Sequence, residues 1–250
     1  MRNGLRILAI VPARGGSKGV HRKNLHPLAG RPLVVHTAAL VGGLSEVDRA
    51  VVSTDSAEIA ATCQAAGLPA PFLRPESLAG DRIGDLEVLR HSLEEMERQD
   101  QTRYDYVLML QPTCPLRNDK MVTDTYHKAM DEGWDAVWTV SPSDLKYHPL
   151  KALAVGPDGA LGCFDARGAG IIARQQLVPV YHRNGAAYAI SRAALLVHQT
   201  ILPARTGAVV IEEPLVSIDT LEDFARVEAL LLQRGLPLYG APRGETRRSA

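Results

Sequence analysis

The sequence predicts an α/β fold with a mainly parallel sheet, on two observations. Short runs rich in Val, Ile and Leu alternate with longer stretches of helical apolar periodicity through the first two thirds of the chain, which is the pattern of successive βαβ units. The chain is also long enough, at 250 residues with 46% hydrophobic and 22% charged residues, to close a large core without disulfides. Six strands are expected, at Arg6 to Val11, Arg49 to Ser53, Tyr106 to Leu110, Ala136 to Val140, Ala186 to Ile190 and Ala208 to Ile211. Between and after them, Leu86, Leu89, Leu93 and Met96 recur at the spacing of one helical face, and so do Leu221, Phe224, Val227 and Leu231.

The rhythm breaks from about Tyr147 to Val180, where Pro149, Gly156, Pro157, Gly159, Gly162, Gly168, Gly170 and Pro179 punctuate short apolar runs. This stretch reads as an inserted set of hairpins, a dimer contact or lid, with irregular loop as the alternative. The domain expectation is one body over residues 1–234, with that insertion at about 147–180. Residues 235–250, rich in Gly, Pro and Arg without apolar periodicity, are expected to be a disordered tail.

Lys and Arg number 28 and Asp and Glu number 28, so the formal net charge is zero. With 5% aromatic residues as well, there is neither an electrostatic groove nor a set of stacking platforms for nucleic acid. Nothing approaches the roughly 20 apolar residues of a membrane span. The run from Leu5 to Val11 is too short for a secretory leader. Cys63, Cys114 and Cys163 are scattered, without the spacing of a zinc site, and suit a reducing cytoplasm.

The chemistry concentrates where strands end. After the first strand comes Ala13-Arg14-Gly15-Gly16-Ser17-Lys18-Gly19-Val20-His21-Arg22-Lys23-Asn24. Glycines leaving a strand let backbone N–H groups approach an anion closely, and the four basic side chains supply countercharge, which suits a polyphosphate. The loop matches neither the Walker pattern nor GxGxxG, and a solvated basic loop is the alternative. Thr54, Asp55 and Ser56 follow the second strand and read as helix N-caps, without catalytic weight. Gln111 and Thr113 end the third strand, and in an open parallel sheet they face the same crevice as the Gly-rich loop. Cys114, with no nearby base to nominate, reads as a small buried residue.

Taken in order, VPARGGSKGVHRKNL, VVSTDSAEI, LRPESLAGD, LQPTCPLR, YHPLK, RNGAAYAISR and SIDTLEDF resemble the acylneuraminate cytidylyltransferase (CMP-sialic acid synthetase) family, from about Leu5 to Leu232. The resemblance implies a Rossmann-like nucleotidyltransferase body with a protruding region that exchanges contacts in a homodimer. It implies transfer of the cytidylyl group of CTP to an acidic 2-keto sugar, with release of pyrophosphate and help from Mg²⁺. By the same resemblance Arg14, Ser17, Lys23 and Asn24 hold the triphosphate beside Gly15 and Gly16, and Arg74 seats the nucleotide. Gln111, Lys151, Arg174 and Tyr188 line the acceptor pocket, and Asp219 binds Mg²⁺. Arg14, Lys23 and Asp219 are then the catalytic set. In-line attack on an anionic α-phosphate needs positioning and charge neutralisation above all, which agrees with this inventory. Asp223, three residues after Thr220, reads as the acid of a capping box.

Two positions depart from the family pattern. Ser217 stands where an acidic residue is usual before Ile218 and Asp219, which removes one carboxylate from the metal side. Asp85 stands where a small hydroxyl residue is usual, either as a reader of the cytosine amine or as a first-turn helix charge. The acceptor stays open among sialic, legionaminic, pseudaminic and octulosonic acids, with a small phosphonate such as phosphonoformate as the alternative. Competing functions are a nucleotide-sugar glycosyltransferase, which would favour an acidic metal pair that the chain lacks, and a non-catalytic nucleotide-binding module, which would bind CTP without releasing pyrophosphate.

Overall fold

The computed structural model describes residues 2–234. The expectation of a tail at 235–250 lies outside the described residues. The chain runs through β1 (Ile7–Pro12), a small ribbon of β2 (Pro27–Leu28) and β3 (Arg31–Pro32), α1 (Leu33–Gly42), β4 (Arg49–Ser53), α2 (Ala57–Ala65), α3 (Asp85–Asp100), β5 (Tyr106–Met109) and α4 (Asp119–Asp131). It continues through β6 (Ala136–Pro142), β7 (Leu153–Val155), β8 (Leu161–Cys163), β9 (Tyr181–Ser191), α5 (Arg192–Leu196), β10 (Thr206–Val210) and α6 (Leu221–Arg234).

The six principal strands form one sheet in the order β10-β6-β9-β5-β1-β4. β1 is parallel to β4 and to β5, while β9 runs antiparallel to β5 with Met109 opposite Tyr188. All six lie where the apolar runs predict strands. Helices cover both faces, so β1 is buried on both and its alternating side chains feed two cores. Ile7, Ala9 and Val11 join residues of α1, α2 and α4, whereas Leu8 and Ile10 join Leu89, Leu93 and Met96 of α3. A third cluster packs Phe224, Val227 and Leu231 of α6 on Val20, Leu28, Leu33, Leu116 and Ile218. Val20 thereby anchors the Gly-rich loop in apolar surroundings. Leu221, expected on the same face of α6, is the helix's first residue and is exposed.

The described residues divide into two compact units, one of residues 2–139, 184–209 and 215–234, the other of Val140–Arg183 and Val210–Pro214. The second unit holds the antiparallel β7–β8 hairpin, in which Leu153 pairs with Cys163, and several single 3-10 turns. Hairpins are thus a minor part of it, because its glycines and prolines interrupt each extended run after a few residues. His148 is its buried polar centre: Nδ1 accepts the Leu150 N–H at 3.1 Å while Nε2 lies 3.2 Å from the Val178 carbonyl. That pairing calls for the neutral ring with its proton on Nε2.

Candidate active site

The crevice side of the first unit is built by three loops at the carboxyl ends of β1, β4 and β5 and by the segment entering α6. The Gly-rich loop leaves β1 with the Ala13 N–H on the Ser53 carbonyl at 3.0 Å. Two residues on, the Gly15 N–H is taken by Asp55 Oδ1 at 2.8 Å. A Cβ on Gly15 would stand 3.1 Å from Ser56 Cβ, so the glycine lets the loop lie against the start of α2. Ser56 is the N-cap that the sequence suggests, accepting from Ile59 N at 3.3 Å. Asp55 has a different job, holding the backbone of the Gly-rich loop. Sequence reasoning missed it, although an acid at the end of a strand paired in parallel with β1 had to fall beside that loop.

Gly19 is the tightest point of the Gly-rich loop. A Cβ there would lie 2.4 Å from the Asp219 carbonyl oxygen, so only glycine lets the two backbones meet. Lys23 closes the same junction, donating from Nζ to the Ile218 carbonyl at 3.0 Å and to Asp219 Oδ1 at 2.9 Å. Ile218 N donates to the Thr113 carbonyl at 2.8 Å, which ties the segment to the loop after β5. Asp223 Oδ2 accepts from the N–H groups of Asp219 at 3.0 Å and Thr220 at 2.8 Å, and its N–H returns to Thr220 Oγ1 at 3.2 Å. This is the expected capping box, and those N–H groups hold the Asp223 carboxyl below the usual carboxylate range.

All four basic side chains of the loop carry a carboxylate partner. Arg14 Nη1 donates to Asp81 Oδ1 at 2.8 Å and Lys18 Nζ lies 2.6 Å from Asp81 Oδ2. Arg22 pairs with Glu58, and Lys23 with Asp219. Lys18 and then Arg14 hold the Asp81 carboxyl below its ordinary range. Asn24, read from the resemblance as a triphosphate ligand, is buried and donates through Nδ2 to the Arg14 carbonyl at 3.0 Å. Gly16, Ser17 and Lys18 form the loop's outward stretch.

Arg74 is buried at 6% exposure, with Nε donating to Ser53 Oγ at 3.2 Å and Nη2 to the Ser53 carbonyl. Burial lowers the pKa of its guanidinium, and the charge of Asp55 acts the other way. Asp85 opens α3 as a first-turn acid and its Oδ2 lies 3.4 Å from Gln111 Nε2. On the other side of Gln111, a Cβ on Gly185 would sit 3.1 Å from Gln111 Oε1, at a φ of +78° that favours glycine. The Gly185 N–H donates to the Tyr188 hydroxyl at 3.0 Å, and the Tyr188 ring is buried edge-on against Trp138, with centroids 5.0 Å apart. The structure therefore brings Asp85, Gln111 and Gly185 together over a buried Tyr188. Burial pushes the Cys114 thiol up, which agrees with a packing role.

Lys151 and Arg174 belong to the second unit. Lys151 ends the 3-10 turn Pro149–Lys151 and Arg174 opens the turn Arg174–Gln176, both side chains exposed. A Cβ on Gly168 would lie 2.2 Å from the Leu150 carbonyl, so this glycine allows the Lys151 turn to be packed from behind. Gln176 Oε1 accepts from the N–H groups of Ile172 at 2.8 Å and Ala173 at 2.9 Å, which fixes the chain entering Arg174.

Asp219 offers one exposed carboxylate whose Oδ1 already receives Lys23, and Asp223 is occupied by backbone N–H groups. Among the described residues no group of three or more His, Cys, Asp or Glu side chains is arranged around a common point. This donor set fits a Mg²⁺ ion that arrives with phosphate oxygens as its other ligands, which is the usual habit of that ion.

Residues 8–241 match the family model described as Cytidylyltransferase. The chain is 30% identical over 225 residues to a pseudaminic acid cytidylyltransferase of Campylobacter jejuni, covering 88% of this chain and 94% of that protein. It is 31% identical over 232 residues to a CMP-N,N'-diacetyllegionaminic acid synthase of Legionella pneumophila, covering 91% of this chain and 97% of that protein. Among solved structures, a CMP:2-keto-3-deoxy-manno-octonic acid synthetase complexed with CTP superposes with a TM-score of 0.67 at 18% identity, over 92% of this chain and 99% of that one. That likeness shows the α/β fold. No helix of the described residues is long and apolar enough to cross a membrane.

Proposed function

Because the chain belongs to the cytidylyltransferase family, we propose that it joins the cytidylyl group of CTP to the anomeric hydroxyl of a sialic-acid-like sugar acid and releases pyrophosphate. The observation that carries this reading is the junction of Gly19, Lys23 and Asp219, where a cationic loop and a metal-competent carboxylate meet at the crevice end of β1. The two relatives named for pseudaminic and diacetyllegionaminic acids, matched over nearly their whole length, favour a nine-carbon acid as acceptor.

In this reaction a bond forms between the acceptor oxygen and the α-phosphorus as the bond to the pyrophosphate oxygen breaks, and the hydroxyl proton passes to solvent. Arg14, Lys18 and Lys23 exchange their carboxylate partners for phosphate oxygens and offset the charge gathering on the leaving group. Asp55 and Asn24 keep the loop backbone in place through Gly15 N and the Arg14 carbonyl. Mg²⁺ held by Asp219 and the triphosphate would supply further charge neutralisation there. Gln111, over the buried Tyr188, presents an amide to a polar acceptor, and Asp85 is suited to accept the cytosine amine that uracil lacks. Lys151 and Arg174 are cations fit for the acceptor carboxylate.

The active form in this proposal is a homodimer through the second unit, in a reducing cytoplasm. Supporting the dimer, that unit exposes Ile172 at 91%, Tyr147 at 75% and Phe164 at 73%, a density of large apolar side chains that marks an interaction surface. The test is pyrophosphate release from CTP and Mg²⁺ with sialic, legionaminic, pseudaminic and octulosonic acids and small phosphonates, with mass spectrometry of the product. A CMP-conjugate with a nonulosonic acid is the expected result. Turnover with a phosphonate alone, or CTP binding without turnover, refutes the proposal. Light scattering at the monomer mass refutes the dimer.

A further inference from the structure

We propose that Arg117 is a positioning residue for the acceptor half of the site: its guanidinium sets the gap between Gln111 and Gly185. The inference rests on the cytidylyltransferase reading above. Arg117 is 2% exposed and directs its donors to backbone on both sides of that gap. Nε donates to the Cys114 carbonyl at 2.8 Å and Nη2 to the Gln111 carbonyl, so the turn after β5 closes around the side chain. Nη1 donates to the Ala186 carbonyl at 3.0 Å, next to Gly185 in β9, and Nη2 also reaches Thr37 Oγ1 at 3.3 Å in α1.

A buried cation is costly, and one whose hydrogen-bonded oxygens include three backbone carbonyls is poorly explained as core filling, which an apolar side chain does better. A planar fork explains it, because its fixed donor directions hold Gln111 and Ala186 at one separation. That separation matters where Gly185, at a φ of +78°, leaves only enough room for the Gln111 amide, with a built Cβ at 3.1 Å from Oε1 and 3.7 Å from Cys114 Cβ. The Tyr188 hydroxyl, under the Gly185 N–H, then fixes the floor. A Lys ammonium keeps the charge but cannot present the same fork to these oxygens. The triphosphate loop is held directly by Asp55, Asp81 and Asp219. The turn around Arg117 reaches it through the Thr113 carbonyl and the Ile218 N–H, one step further from the guanidinium than Gln111 and Ala186, so the acceptor half is expected to feel a substitution first.

The experiment compares Arg117→Lys and Arg117→Met with the wild-type chain. It measures KM for CTP and for the acceptor identified by the panel, and amide hydrogen exchange of the ligand-free proteins. Acceptor KM is expected to rise about tenfold or more while CTP KM stays within about twofold, the scale of a small misplacement of a binding group. Faster exchange is expected in residues 111–117 and 184–188, with the segments around Gly15 unchanged. An acceptor KM restored by Lys, an equal rise in both KM values, or unchanged exchange in those two segments overturns the proposal. Should Arg117→Met fail to fold, Arg117→Lys decides alone. Wild-type silence with every acceptor refutes the reaction itself, and the exchange result still judges Arg117.

Discussion

Replacing Gly19 by Ala tests the junction on which the functional reading stands. The added methyl would lie 2.4 Å from the Asp219 carbonyl oxygen, whereas an ordinary carbon-to-oxygen contact is about 3.3 Å, so one backbone must retreat by roughly 0.9 Å. Gly19 is not at a positive φ, and the effect is therefore steric and aimed at one partner. A retreat of Asp219 also stretches the Lys23 contacts of 2.9 Å and 3.0 Å, separating the carboxylate from the cationic loop. Misplacement on the order of 1 Å costs up to about 100-fold in rate, equivalent to roughly 2.7 kcal/mol of barrier. The variant is expected to lose about 10- to 100-fold in kcat for pyrophosphate release, with a raised half-saturating Mg²⁺ concentration and a small change in Tm. Gly42→Ala is the control, because at that helical position a Cβ meets no atom of the described residues within 4 Å. Unchanged kcat and metal dependence in Gly19→Ala would refute the assignment of Asp219 and the loop to one site.

Ser217→Asp restores a carboxylate two residues before Asp219 and is expected to lower the half-saturating Mg²⁺ concentration in the same assay. No change in that titration would show that Asp219 and phosphate suffice. Asp85→Asn is expected to erode the preference for CTP over UTP about tenfold, measured as the ratio of kcat/KM values, since an amide no longer offers a full acceptor pair to the cytosine amine. Asp81→Asn frees Arg14 and Lys18 and removes a repelling charge, so CTP should bind about two- to five-fold tighter by titration calorimetry. Weaker binding would mean that Asp81 orders those cations for the phosphates. Asp223→Ala is expected to cost about 1 kcal/mol at pH 7 by urea unfolding. The folded carboxyl is held below its ordinary value, so this stability is present above about pH 4 and fades as pH falls through the folded pKa. A gap from wild type that stayed constant with pH would refute the capping role.

What the sequence exposed and what it hid follow one physical division. Strands buried on both faces read as continuous apolar runs, so Ile7 to Val11 was plain, with Ile7, Ala9 and Val11 serving one core and Leu8 and Ile10 the other. The same rule explains why β9 begins at Tyr181, five residues before the expected Ala186. Its first residues, Tyr181, His182 and Arg183, are exposed and leave no apolar signature. The Gly-rich loop was conspicuous because glycine and basic residues are locally dense there. Its partners were not, since Asp55, Asp81 and Asp219 are single acids separated by long stretches of chain, and one acid resembles another until the sheet brings strand ends to the same edge. Formal neutrality carried the same ambiguity: 28 basic and 28 acidic residues are compatible with a dispersed surface, yet here all four cations of one loop have met carboxylates. Arg117 hid for the opposite reason. An arginine closing a polar turn reads as a solvated charge, and only the fold, by wrapping that turn around it, makes its donors answer to Gln111, Cys114 and Ala186. Periodicity thus reports what is repeated along the chain, while the site depends on single atoms meeting across loops. The substitutions that discriminate best are therefore those at Gly19 and Arg117, where one atom too many or one rigid donor too few changes the geometry and leaves the pattern intact.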